Sequence, residues 1–239
     1  MAKKDYYIII DTETTITDKV ADFGAVICDK HGEIVSQCAV LVNGIFGVDA
    51  LFYLRGESND SLWSEQGKDK RFTTYNNMLS QGTRMLASVA AVNRWLERAV
   101  GAYSPILTAY NLAFDVDKCQ KTGIDLTIFA QRFCLWHAAA GKWGHTKKYR
   151  KFVLDQHAFN SPTALGNMSY KTNAEIMARF ILGLPELDNE PHTAIEDVIG
   201  YELPILKKLT KNYSKKEILE MEGGYNWREY QVRDHYTPA

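Results

Sequence analysis

Long apolar runs, paired cysteines and an excess of charge of either sign are all missing from this sequence, and each absence narrows what the chain can be. No run approaches the roughly 18–20 apolar residues that a membrane-spanning helix needs, which excludes that class. The opening Met1-Ala-Lys-Lys-Asp5 leads directly into a strand-like segment, so no cleavable leader is expected and the chain reads as soluble and cytoplasmic. Four cysteines (Cys28, Cys38, Cys119, Cys134) are widely spaced with no CxxC pair. Cys28 and Cys38 fall in apolar strand-like runs, where buried free thiols are common. Cys134 and His137 have a metal-compatible spacing but no second pair, so a structural zinc is not indicated. Lys and Arg number 28 against 29 Asp and Glu, which is not the footprint of a protein that holds nucleic acid by bulk positive charge. A nuclease stays compatible with this balance, because bound cations offset an acidic site. No internal repeat, low-complexity tract or second domain is evident.

What is present points to an α/β protein. Tyr6-Tyr-Ile-Ile-Ile10 is an unbroken run of strand formers, as in a central strand covered on both faces. Val20–Cys28 and Glu33–Val42 read as a hairpin turning at Asp29-Lys-His-Gly32, so the sheet should begin with antiparallel strands. Residues 43–83 show no sustained period and read as an insertion with some structure of its own. From Arg84 to Val100 the apolar residues recur at helical spacing, with Gly101 as the stop. Ile106–Tyr110 is a short strand. Asn111 is placed to cap a helix running to Gly123, and Thr127–Phe133 is a further strand candidate. Thr172-Asn-Ala-Glu175 and Thr193-Ala-Ile-Glu196 are capping-box patterns opening two late helices, and Pro204 should kink the second by crowding the carbonyl of Gly200. The 239 residues are expected to form a single domain (1–239), with the insertion at 43–83 and a helical extension at about 208–239.

The acids carry the chemistry. Asp11 and Glu13 close the first apolar strand, and residues two apart on a strand share a face. Two carboxylates thrust together from a buried strand repel, and a hard dication coordinated by oxygens relieves that repulsion. Asp115 sits in the first turn of the helix after Ile106–Tyr110, where the helix dipole favours an anion; Asp117 competes with it by proximity but projects to another side. His192 and Asp197 bracket the start of the last long helix. A histidine on the loop before it, with an unperturbed pKa of about 6.5, suits a general base. Singly, each of these residues has an ordinary structural explanation.

Together, Asp11-x-Glu13, Asn111-x-x-Phe-Asp115 and His192-x-x-x-x-Asp197 resemble the three ordered motifs of the DEDDh family of 3′→5′ exonucleases. That family includes polymerase proofreading subunits, ribonuclease T and oligoribonuclease. The resemblance runs from residue 6 to about 207. It implies a ribonuclease H-like mixed sheet, antiparallel at its N-terminal strands and then parallel, flanked by helices. It implies that Asp11, Glu13, Asp115 and Asp197 bind two divalent cations, Mg²⁺ or Mn²⁺, and that His192 takes the proton from the attacking water. Histidine at 192, where a related subgroup carries tyrosine, favours the DEDDh type. Ile16 stands where many members have glycine. Thr14 and Thr15 are the candidates for contacting the 3′ end, with Asn111 and Phe114 beside them; Phe114 could equally be a core residue.

The expected substrate is the 3′ end of a single strand, DNA favoured over RNA, releasing nucleoside 5′-monophosphates. The unfused chain is most like stand-alone or phage-encoded members, some relatives of which form homodimers. Basic clusters at 147–151 and 207–216 are weak candidates for strand contact, and the tryptophans are packing candidates. An exoribonuclease of the same chemistry, a non-catalytic protein that binds nucleic acid or a partner, and an endonuclease of the wider group are the competing readings.

Overall fold

The computed structural model describes residues 4–48, 51, 65–164 and 166–221, and for 65–72 the backbone alone. Trp63, Trp227, the middle of the 43–83 stretch and the end of the 208–239 extension lie outside the described residues.

The first strand, β1 (Tyr6–Thr14), is longer than its apolar run and carries both acids within it. Its alternate side chains enter different cores: Tyr7 and Ile9 on one face, Ile8 and Ile10 on the other. Each of the three fully buried isoleucines stabilises the fold by on the order of 2 kcal/mol, which anchors the acid-bearing strand at the centre. β2 (Val20–Asp29) and β3 (Ile34–Val42) form the expected hairpin beside it. Asp29 Oδ1 accepts the His31 and Glu33 amides and fixes the turn.

The remaining strands are β4 (Met85–Ala87), β5 (Ile106–Ala109) and β6 (Arg132–Cys134). The sheet order is β4-β3-β2-β1-β5-β6. Pairing is antiparallel through β3-β2-β1, and parallel for β1 with β5, β5 with β6, and β3 with β4. This is the mixed α/β sheet, antiparallel first and then parallel, expected of a ribonuclease H-like fold.

Helices cover both faces. α2 (Val89–Tyr103) and α3 (Leu112–Thr122) pack on the Ile8/Ile10 face. The Tyr7/Ile9 face receives α4 (Leu135–Ala139), α5 (Lys147–Asp155), α6 (Ala174–Leu182), α7 (Ala194–Asp197) and α8 (Leu203–Asn212), and α9 (Lys215–Leu219) closes that layer. α1 (Glu65–Gln81), inside the 43–83 stretch, seats Tyr75 against Ala21 and Leu41 of the hairpin. Trp95, Trp136 and Trp143 are half-buried and pack against the cores. Among the described residues no helix is long and apolar enough to cross a membrane.

Several expectations need correction. The helix read from Arg84 begins only at Val89. Met85 and Leu86, 63% and 53% exposed, belong to edge strand β4 in register with Val40 and Leu41. Ser88 is the N-cap, its Oγ accepting the Ala91 amide; the helical spacing of the two preceding apolar residues is coincidental. The helix also runs through Gly101 and stops at Ser104, which takes the left-handed conformation. The strand expected over Thr127–Phe133 shrinks to Arg132–Cys134, because Asp125 captures the amide and hydroxyl of Thr127 in a turn. α6 is capped from Asn173 rather than Thr172, whose hydroxyl instead accepts the Trp136 indole N–H. Asn111 does hold the N-cap position of α3, but in the left-handed region (φ 79) and without a side-chain capping bond.

The approach of α7 to the sheet is the closest packing around the acids. A Cβ on Gly24 would lie 2.5 Å from the Ile195 nitrogen, so only glycine lets the helix sit there. Gly24→Ala should therefore cost about 1–3 kcal/mol in urea unfolding. Gly101→Ala is the matched control. It lies in the last turn of α2, where a Cβ meets nothing within 4 Å, and should stabilise by up to about 0.5–1 kcal/mol. Equal, small effects from both would contradict the tight α7–β2 contact.

Candidate functional site

The period-two alternation of β1 places Asp11 and Glu13 on the face that carries Tyr7 and Ile9, toward α7 and α8. Thr12 points the other way and donates its hydroxyl to Asp115 Oδ1 at 2.8 Å. One short strand segment thus addresses two helices. Parallel pairing of β1 with β5 sets Ile9 beside Thr108, so the chain leaving β5 begins α3 next to the acid pair and delivers Asp115 in its first turn.

Opposite the pair on β2 are Gly24, in register with Asp11, and Asp22, in register with Glu13. Gly24 admits α7 and Asp22 caps it: Asp22 Oδ2 accepts the Ala194 amide at 3.0 Å. The capping box expected from Thr193 and Glu196 does not form. Thr193 occupies the N-cap position without a side-chain capping bond, and its Oγ1 is buried with no partner. Glu196 turns instead to Arg84, whose Nη1 donates to Glu196 Oε1 at 3.1 Å and whose Nη2 also bonds Glu196. Arg84 Nε donates to Asp22 Oδ1 at 3.1 Å, with both side chains buried. This Asp22–Arg84–Glu196 triad fixes the helix that bears Asp197, and removing either member of its buried pair, Asp22 or Arg84, strands the other's charge.

His192 precedes α7 in the left-handed region, at φ 55. The loop leading to it is tied down by Arg179, which bonds the Leu187 carbonyl and Asn189 Oδ1, each at 2.9 Å, and pairs with Glu175 at 3.0 Å. His192 Nδ1 lies 3.9 Å from Glu13 Oε1. Glu13, His192 and Asp197 each offer a ligand atom, and these atoms all lie within 4.8 Å of one another. The structure therefore brings Glu13, His192 and Asp197 within ligating reach of one another; Asp11 and Asp115 lie near enough for their charges to interact with each other and with Glu13.

The proposed contact residues are arranged less uniformly. Phe114 is 39% exposed beside Asp115, with Lys118 Nζ 5.0 Å from its ring centre, so it is not a core phenylalanine. Asn111 is exposed on the same rim. Thr14 and Thr15 are buried. The Thr15 hydroxyl meets Thr17 Oγ1 at 2.9 Å and its amide bonds the Lys19 carbonyl, which assigns Thr15 to the turn that presents Ile16, 57% exposed, at the site's edge.

Residues the sequence did not flag also belong here: Asp22, Gly24, Arg84, Glu190 and Glu202. Glu196 was visible only as a capping-box residue, and its pairing with Arg84 was not.

Electrostatically the site is a concentration of like charge. Burial, reinforced by neighbouring acids, pushes Asp115 up to about 8 and Asp197 up to about 9, and raises Asp11 and Glu202 well above the carboxylate range. Burial and the acids at 175 and 13 lift Glu190 to about 7. Asp197 Oδ1 and Glu202 Oε2 are buried oxygens with no hydrogen-bond partner. Such oxygens among repelling carboxylates fit hard divalent cations, for which oxygen donors are preferred.

The pH dependence follows with a definite sign. Carboxyls whose folded pKa lies above the unfolded value of about 4 hold protons that the unfolded chain releases. Their contribution is full below about pH 4 and is lost as pH rises through the values near 8 and 9 of Asp115 and Asp197. In EDTA the melting temperature should fall between about pH 5 and about pH 9, and saturating Mg²⁺ or Mn²⁺ should remove that slope by displacing the protons. A melting temperature in EDTA that stays level or rises over this range would contradict the clustering of buried acids.

No protein-family model matches this chain, and a comparison with curated proteins finds no match; the functional reading rests on the residues of the site.

Proposed function

We propose that this protein is a metal-dependent 3′→5′ exonuclease of the DEDDh type that removes nucleotides from the 3′ end of single-stranded nucleic acid, DNA in preference to RNA, in the cytoplasm. The observation that carries this reading is the convergence of Glu13, His192 and Asp197, with ligand atoms within 4.8 Å of one another, together with the buried, unpartnered Oδ1 of Asp197. Asp11 and Asp115 complete the acid set from the strand and helix on either side.

Asp11, Glu13, Asp115 and Asp197 would hold two divalent cations, Mg²⁺ or Mn²⁺, whose charge stabilises the attacking and leaving oxygens of an in-line displacement. The protein's own groups do the rest. The His192 ring, its Nδ1 3.9 Å from Glu13 Oε1, would take the proton of the attacking water and pass it on as the product leaves. Its place on a loop outside the first turn of α7 lets the ring move without disturbing Asp197. Phe114 offers an exposed face on which a terminal base can stack, an interaction worth about 1–3 kcal/mol and indifferent to sequence. Asn111 and the Ile16 turn border the same opening. The near-neutral chain, with its acidic centre, gains attraction for a phosphate backbone once the cations are bound.

The test is digestion of a 5′-labelled single-stranded DNA oligonucleotide and its RNA counterpart in Mg²⁺, Mn²⁺ or EDTA. A ladder shortening from the 3′ end is expected with metal and not with EDTA, faster on DNA. His192→Ala should lower the rate by about 10²–10⁴-fold, and Asp115→Ala should abolish it. Faster digestion of RNA would assign an exoribonuclease of the same chemistry. No shortening of either strand by folded, metal-loaded protein would overturn the exonuclease reading in favour of a binding role.

A further inference from the structure

Between α7 and α8 the helix changes its bonding. Val198–Glu202 forms a π turn, with the Leu203 amide donating to the Val198 carbonyl five residues back. Two residues on, Pro204 lacks an amide and its ring crowds the Gly200 carbonyl; the wider turn is how the helix accommodates that crowding. The consequence falls on Glu202, five residues after Asp197. In a regular α-helix five residues advance to a position about 140° around the axis, which would turn Glu202 away from Asp197. Bonding from i to i+5 brings residues five apart back toward one side, and such turns recur at functional sites.

Glu202 is accordingly buried among the acids rather than on the far side of the helix. Its charge bears on Asp11 more strongly than that of Asp115, Asp197 or Glu13. Oε1 is held by the Tyr110 amide at 3.3 Å, at the junction of β5 and α3. Oε2 is buried and has no hydrogen-bond partner. A side chain anchored through one oxygen at Tyr110, two residues beyond the Ile9–Thr108 pairing of β1 with β5, with the other oxygen buried and unbonded, is arranged as a ligand group and not as a packing element. Among the described residues its carboxylate bonds the fold through a single amide contact, which a neutral amide side chain would accept as well.

Resting on the cation reading above, we propose that Glu202 is a fifth carboxylate ligand of the divalent-cation site, delivered to it by the π turn. The chain thereby carries one more anionic oxygen donor than the four acids of its three motifs.

The test is Mn²⁺ binding to the protein freed of metal, followed by the electron paramagnetic resonance signal of free Mn²⁺, for wild type, Glu202→Asp and Glu202→Gln. Melting temperatures in EDTA are recorded in parallel. Glu202→Gln keeps an acceptor for the Tyr110 amide, so it should melt no lower than wild type in EDTA while binding Mn²⁺ about tenfold or more weakly. Glu202→Asp, which keeps the charge, should fall between the two. Should Glu202→Gln melt early, the wild type against Glu202→Asp comparison decides on its own, because loss of affinity in that charged variant reflects ligand reach. Wild type that binds Mn²⁺ together with variants of unchanged affinity overturns the role of Glu202 alone. Wild type that binds no Mn²⁺ overturns the cation site itself, and Glu202 with it.

Discussion

Repulsion among buried carboxylates is the constraint on which the rest of this structure depends. Asp11, Glu13, Asp115, Asp197 and Glu202 come from one strand and two helical segments, and burial raises the proton affinity of at least four of them. Left to themselves these groups would push the elements apart. They are held by what lies behind them: three fully buried isoleucines in β1, the Thr12–Asp115 bond, and the contact of α7 with Gly24. A fold that spends core packing on gathering acids leaves them two ways to lose their repulsion: protonation, which the raised proton affinities express, or a compensating positive charge, the role proposed above for divalent cations.

The second device is the buried pair of Asp22 and Arg84, extended at the surface by Glu196. It neutralises an acid next to the site and hands one carboxylate oxygen to the N-terminus of α7, in place of the Thr193 cap. Arg84 directly follows the 43–83 stretch, so the chain returning from that stretch is pinned to the same helix that supplies Asp197. His192 stands outside this rigid set, on a left-handed residue after a loop held by Arg179. Under the proposed function, the fixed acids would hold charge where charge develops and the loop histidine would serve as the proton acceptor.

Much of this was legible in the sequence because it is local. The Tyr6–Ile10 run, the acids two apart after it, the hairpin turn at Asp29–Gly32 and the His192–Asp197 spacing are patterns of a few residues, and each maps onto the element that bears it. What was not legible is long-range or depends on a departure from regular geometry. Asp22 meets Arg84 across 62 residues and Ala194 across 172, and nothing near Asp22 announces either partner. The Thr193–Glu196 pattern matches a capping box in composition, yet Asp22 wins the helix terminus and Arg84 takes the glutamate. Ser88 decides where α2 begins, although apolar spacing alone carries the helix back to Arg84. Glu202 was hidden because five is not a helical spacing, and only the π turn makes it a neighbour of Asp197.

The most direct test of the central claim, that these acids gather in order to hold two divalent cations, is crystallographic. Crystals grown or soaked with Mn²⁺ would be measured for anomalous scattering near the manganese edge. Two anomalous peaks bounded by Asp11, Glu13, Asp115 and Asp197, with His192 alongside, are the predicted result. An acid cluster without anomalous signal at saturating Mn²⁺, or Mn²⁺ bound only elsewhere on the protein, would contradict it.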